Sequence, residues 1–98
     1  MLKLNITPKA NSDLVRIWAY TCEEWGVDQA DKYLDQLEAG MKQLIEHPAL
    51  GTNYEHVLPG YRRLQVERHA VFYQVLELEL LVVRVLHEDM DAPERLLD

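Results

Sequence analysis

The stretch Leu80 to Asp91, Leu-Leu-Val-Val-Arg-Val-Leu-His-Glu-Asp-Met-Asp, constrains the fold more than any other. Its first part is a short run of branched apolar residues that follows Glu77-Leu78-Glu79. Its second part is acidic. A strand with one wet face alternates apolar and polar residues, so a run this short and apolar is expected to be a central strand covered on both faces. Arg84 stands in the middle of it. An arginine is rarely fully buried without a partner. Arg84 is therefore expected either to be paired inside the core or to line a groove where another molecule docks.

The chain has 98 residues, which fits a single domain over residues 1–98 with one core. Hydrophobic residues make up 48%, which argues against disorder. No apolar run reaches membrane-spanning length, and Met1-Leu2-Lys3-Leu4-Asn5 lacks a signal-peptide core. Cys22 is the single cysteine, so no intrachain disulfide can form, and the cytoplasm is the expected compartment. The formal net charge of -7 argues against direct nucleic-acid binding by the chain alone, because phosphate binding needs clustered Lys and Arg.

Leu2, Leu4 and Ile6 alternate with Lys3 and Asn5 as in a half-buried strand. Thr7 then suits a helix N-cap and Pro8 the first helical position, where its missing N–H costs nothing. Ala10, Leu14, Ile17, Trp18 and Thr21 follow at helical spacing, with Trp25 a turn later and Gly26 as the stop. Asp28 is the expected cap of a second helix, whose stripe is Ala30, Tyr33, Leu34, Leu37, Met41, Leu44 and Ile45. Gly40 interrupts that stripe and is expected to admit a close approach of the neighbouring helix. His47-Pro48 ends the helix. The short joint at Gly26 makes the pair an antiparallel hairpin.

Pro48 to Gly60 reads as a loop, punctuated by Gly51, Asn53, Pro59 and Gly60. Tyr61 to Glu67, His69 to Leu76 and Leu80 to His87 read as strands with short breaks, hence a meander. A short last helix is expected after His87, limited by Pro93. The fold class is α+β: an N-terminal strand and a helical hairpin packed on a mostly antiparallel four-stranded sheet, with a short C-terminal segment.

Even positions of the strands carry Arg62, Leu64, Val66, Phe72, Val82, Arg84 and Leu86. Odd positions carry Val71, Tyr73, Val75, Leu81, Val83 and Val85. Both sets are apolar in the later strands, yet one pair of helices covers one face. The second face is expected to be an uncovered apolar surface completed by another chain. Arg62 and Arg84, of equal parity, are expected to line one groove that meets carboxylates or phosphates; the alternative is that they pair with the chain's own acids.

Little catalytic chemistry is visible. The four histidines, His47, His56, His69 and His87, have no zinc-site spacing, so no metal and no cofactor are expected. Cys22 lies beside Glu23 and Glu24, which suits an inert packing thiol. Trp18, Trp25 and Tyr33 share a helical spacing that suits core residues more than a stacking platform. No glycine-rich phosphate loop occurs.

From Gly60 the chain reads Gly-Tyr-Arg-Arg-Leu-Gln-Val-Glu-Arg-His-Ala-Val-Phe-Tyr, and later Arg-Val-Leu-His-Glu-Asp-Met-Asp. This resembles the ParE toxin family of the RelE/ParE superfamily of bacterial toxin–antitoxin systems. The matched positions are Gly60, Arg62, Arg63, His69, Phe72, Tyr73, Arg84, Val85, Leu86, His87, Met90 and Asp91. Ile17-Trp18, Trp25-Gly26, Tyr33, Leu37 and Glu46-His47-Pro48 extend the likeness over the whole chain. Asp89 departs from the family's basic or neutral residue, and Glu67 from its small one.

The resemblance implies a cytoplasmic toxin that binds DNA gyrase and stabilises the cleaved-DNA state. It implies neutralisation by a ParD-like antitoxin, in a toxin–antitoxin hetero-oligomer. Target contacts would then fall on Arg62, Arg63, His69, Arg84, His87, Met90 and Asp91. Antitoxin contacts would fall on Trp18, Tyr33, Leu37, Arg62 and Arg84. The RelE branch instead cuts messenger RNA on the ribosome, using Lys and Arg around the phosphate and often a C-terminal tyrosine. Here Pro48 to Gly60 has no Lys or Arg, no Lys follows Lys42, and the segment after Leu86 has no Tyr and is acidic. No catalytic residue is therefore assigned, and a binding-type poison is expected over an endoribonuclease.

Overall fold

Thr7 joins the first strand to the first helix. In the computed structural model, which describes residues 2–97, β1 (Lys3–Ile6) ends where α1 (Pro8–Trp25) begins. The Thr7 hydroxyl donates to the Val83 carbonyl (2.7 Å) and accepts from the Ala10 N–H (3.1 Å), so one side chain ties the helix start to the sheet. α1 buries Ala10, Asp13, Leu14 and Ile17. Gly26, at φ +94°, both ends α1 and opens α2 (Val27–Glu46). Asp28 is not the cap; it lies in the first turn of α2, where its charge meets the positive end of the helix dipole. α2 buries Ala30, Leu37, Met41 and Leu44.

The sheet has five strands rather than four, in the order β1-β5-β4-β3-β2. β1 runs parallel to β5 (Glu79–His87), and the other pairs are antiparallel. The extra strand is β2 (Thr52–Asn53), in the stretch expected to be loop, paired with β3 (Arg62–Val66). Tyr73 of β4 (His69–Val75) draws it in: its hydroxyl donates to the Pro48 carbonyl (2.7 Å) and accepts from the Gly51 N–H (3.0 Å). Gly51 is required there, because a Cβ would lie 2.5 Å from the Tyr73 hydroxyl oxygen.

The register decides which side chains share a face. Phe72 pairs with Arg84 but Tyr73 with Val82, so Val83 is an extra residue and β5 changes parity at a bulge. Leu80, Val82 and Val85 therefore join Val71, Tyr73 and the helices in one core cluster. Arg62, opposite Tyr73, is on the helix side, whereas Arg84, opposite Phe72, is not. The groove expected from their equal parity does not exist.

The second face is not left open either. Ala70, Phe72 and Leu86 form a smaller cluster, covered by Tyr54, Tyr61, Ala92 and Leu96. The covering comes from the Pro48–Gly60 region and from α3 (Ala92–Leu96), whose first turn accommodates Pro93. Two helical expectations also change. Gly40 lies against β3 rather than against α1, with Val66 Cγ2 at 2.9 Å from the position a Cβ would take. Trp25, expected in the core, is 74% exposed, because α1 ends there beyond the sheet. Among the described residues no helix is long and apolar enough to cross a membrane.

Candidate functional site

Arg84 is paired in the core. Asp13, on the buried face of α1, accepts from Arg84 Nε (2.7 Å) and Nη2 (2.9 Å) in a two-pronged pair. The same carboxylate accepts the Val85 N–H (3.0 Å) and approaches Arg16 Nη2 (3.3 Å). The topology explains the need. β1 pairs with β5 only as far as Val82, so Val85 faces an edge with no strand beside it. α1 passes that edge, and Asp13 supplies the missing acceptor. Arg84 Nη1 donates to the Arg95 carbonyl (3.1 Å), so the guanidinium also holds α3. Sequence reasoning missed Asp13. The available signal was an acid among Ala10, Leu14 and Ile17 on the apolar face of α1.

His69 forms a second polar centre. The Tyr33 hydroxyl accepts the Arg68 N–H (3.1 Å) and lies 2.6 Å from His69 Nδ1. A tyrosine with its lone pair so used directs its proton to Nδ1, which leaves neutral His69 protonated on Nε2. Burial, then the nearby His87 imidazole, push His69 down to about 4. Burial likewise raises Tyr33 above its ordinary value. The His69 and His87 rings meet edge to face, with centroids 5.3 Å apart. His87 Nδ1 accepts the Asp89 N–H (3.2 Å).

Three hollows open around this centre, and His87 lines all of them. One of about 430 Å³ lies between the helix ends and the sheet, walled by Tyr20, Trp25, Tyr33, Arg68 and His69. One of about 280 Å³ is lined by Arg63, Phe72, Met90 and Asp91. The smallest, about 130 Å³, reaches Asp13, Arg16, Arg84, Met90 and Arg95. The structure thus brings His69, Arg84, His87, Met90, Arg63 and Asp91 to one end of β5. Arg62 is apart, donating from Nη2 to the Ala49 (3.2 Å) and Gly51 (2.7 Å) carbonyls. Arg63 lies 6.0 Å over the Phe72 ring.

The residues expected to meet a partner on the helices separate too. Trp18 is half-buried, and its Nε1–H donates to Asp31 Oδ1 (2.8 Å). Tyr33 is half-buried and engaged with His69. Leu37 is 0% exposed, so it supports the core from below and offers a partner no surface. No group of three or more His, Cys, Asp or Glu among the described residues is placed to hold a metal ion.

This arrangement is poor in acid–base chemistry. A general base needs a free nitrogen with a pKa near the working pH. His69 lies far below it, and its Nδ1 is taken up by Tyr33. Each of the three guanidinium nitrogens of Arg84 already donates within the protein.

A helical hairpin on a mixed five-stranded sheet, with a histidine-lined end, defines a small α+β class. A chain of the solved structure "Chromosomal ParDE TA system from P. aeruginosa" shares it. The TM-score is 0.80 and the identity 25%, over 89% of this chain and 96% of that one. Toxin ParE1 of Mycobacterium tuberculosis is 39% identical over 92 residues, covering 93% of this chain and 94% of the relative. Toxin ParE1 of Caulobacter vibrioides is 38% identical, covering 94% and 95%, and Toxin ParE of Escherichia coli is 36% identical, covering 95% and 91%. The family described as ParE toxin of type II toxin-antitoxin system, parDE, matches residues 4–92. The chain belongs to this ParE toxin family.

Proposed function

We propose that this chain is a cytoplasmic toxin that arrests growth by binding DNA gyrase and stabilising its cleaved-DNA state, without chemistry of its own. A ParD-like antitoxin neutralises it in a hetero-oligomer. Family membership supports the toxin role. The observation that carries the non-catalytic reading is the engagement of Arg84: its donors are committed to Asp13 and Arg95, which leaves no free cationic group there to stabilise a phosphorane. On this reading His69, His87, Met90, Asp91 and Arg63 form the target-facing end, and Arg84 positions it. Purified gyrase and relaxed plasmid test the proposal. Addition of the chain is expected to suppress supercoiling and accumulate linear DNA after detergent and protease treatment. Unchanged supercoiling, with transcripts cut on translating ribosomes, would establish the endoribonuclease alternative instead.

A further inference from the structure

The outer side of the helical hairpin carries a groove of about 370 Å³ between α1 and α2, lined by Asn11, Leu14, Val15, Trp18, Leu34 and Glu38. Its apolar wall is open: Val15 is 63% exposed. Its charge is one-sided. Asp28, Asp31, Asp35 and Glu38 recur at three- and four-residue steps along α2, so they form one row, and all are exposed. Asp31 and Glu38 border the groove, the first through its bond to Trp18. No Lys, Arg or His lines it. The two basic residues of α1, Lys9 and Arg16, line hollows on the other flank of that helix. Lys42 stands one turn beyond Glu38 and ends the row.

We infer that this groove receives a cationic amphipathic helix of the antitoxin, with apolar side chains on Val15, Trp18 and Leu34 and Lys or Arg side chains against the acidic row. The inference rests on the toxin–antitoxin reading and adds the chemistry of the partner segment. Two helices present a trough that suits a third helix laid into it, read by apolar anchors at i, i+3, i+4 and i+7. From Asp28 to Glu38 a helix rises roughly 15 Å, so the segment needs about three turns. The apolar wall holds the partner and slows its release. The carboxylates act on encounter, because a one-sided field accelerates association and loses its reach as salt shortens the screening length from about 10 Å at 0.1 M to about 3 Å at 1 M.

The test uses the full-length antitoxin encoded beside this chain and measures association and dissociation by surface plasmon resonance. For the native chain, the association rate is expected to fall about tenfold or more between 0.05 and 0.5 M NaCl. Asp35→Lys with Glu38→Lys should lower the low-salt rate about tenfold and flatten the salt dependence. Glu46→Lys with Glu77→Lys changes the net charge equally, away from the groove, and should alter the rate no more than about twofold. Val15→Lys, on an exposed position that tolerates it, should speed dissociation about tenfold or more. Circular dichroism establishes that each variant is folded. Antitoxin binding unchanged by salt, by the Asp35/Glu38 pair and by Val15→Lys would overturn the inference and leave the toxin–antitoxin reading standing. No binding by the native chain would overturn both.

Discussion

Replacing Arg84 by Met tests whether the buried pair is a bracket or a contact. Asp13 and Arg84 are 6% and 9% exposed. Removing the guanidinium leaves a carboxylate in the core with only the Val85 N–H and the longer Arg16 contact at 3.3 Å. Breaking one side of a buried pair costs about 3–5 kcal/mol. The two remaining donors place this case at the low end, near ~3 kcal/mol. For a domain of this size each kcal/mol moves the melting temperature about 4–8 °C, so Arg84→Met should melt roughly 12–24 °C lower. That is a large share of the ~5–15 kcal/mol that holds a domain together.

The companion variant is Asp13→Asn with Arg84→Met. Asparagine keeps an oxygen for the Val85 N–H, and no buried charge remains, so the double variant should lie within ~1–2 kcal/mol of native. Urea unfolding of the native chain, both single variants and the double variant gives the coupling energy. The same variants separate the two roles of Arg84. If it only positions α3 and the end of β5, the double variant recovers stability and growth arrest together. Recovery of stability without toxicity would mean that the guanidinium touches the target. An Arg84→Met cost below ~1 kcal/mol, or strictly additive variants, would refute the argument.

Other outcomes follow from the same geometry. His69 is held low at about 4, whereas the unfolded chain takes up the proton near 6.5; its contribution is therefore fully present above pH 6.5 and is lost as the pH falls towards about 4. Urea midpoints at pH 7, 6 and 5 should decline for the native chain and decline less for His69→Gln. Tyr33→Phe removes the partner of both the Arg68 N–H and His69 Nδ1, and should cost ~1–3 kcal/mol by the same measurement. Gly51→Ala should cost ~1–3 kcal/mol, because the new methyl meets the Tyr73 hydroxyl and the Arg63 carbonyl oxygen at 2.9 Å. Glu67 sits at φ +52° in the β3–β4 turn, so Glu67→Gly should stabilise by about 1 kcal/mol and raise the melting temperature.

The backbone plan was legible because local rules agreed with one another. Thr7-Pro8, Gly26 and His47-Pro48 bound the helices, and the apolar runs after Gly60 form the meander. Glu67 shows that even a departure from the family pattern had a local cause, since a small residue suits a turn that needs positive φ. What could not be read depends on register. Parity along β5 holds only until the extra residue Val83, after which every side chain changes face. That single insertion separates Arg62 from Arg84. The loop coverage of the second face was hidden for another reason: Tyr54 and Tyr61 punctuate a segment with no period, and only the fold brings them onto Phe72.

The bulge also links the fold to the site. Were β5 regular, Arg84 would stay in the row of Val82 and point among Leu14, Leu37 and Tyr73, where no acceptor waits. The extra residue moves it to the edge that β1 abandons after Val82, where Asp13 already serves the Val85 N–H. A guanidinium at that edge reaches α1 through one side and the Arg95 carbonyl of α3 through the other. Three elements distant in sequence are thereby fixed around His87 and Met90, the surface proposed to face the target. Rigidity at this end suits a protein that acts by fitting another, because groups ordered before the encounter lose less freedom during it. The same donors would have to let go of Asp13 and Arg95 before Arg84 could serve a scissile phosphate, at the cost of stranding a buried carboxylate.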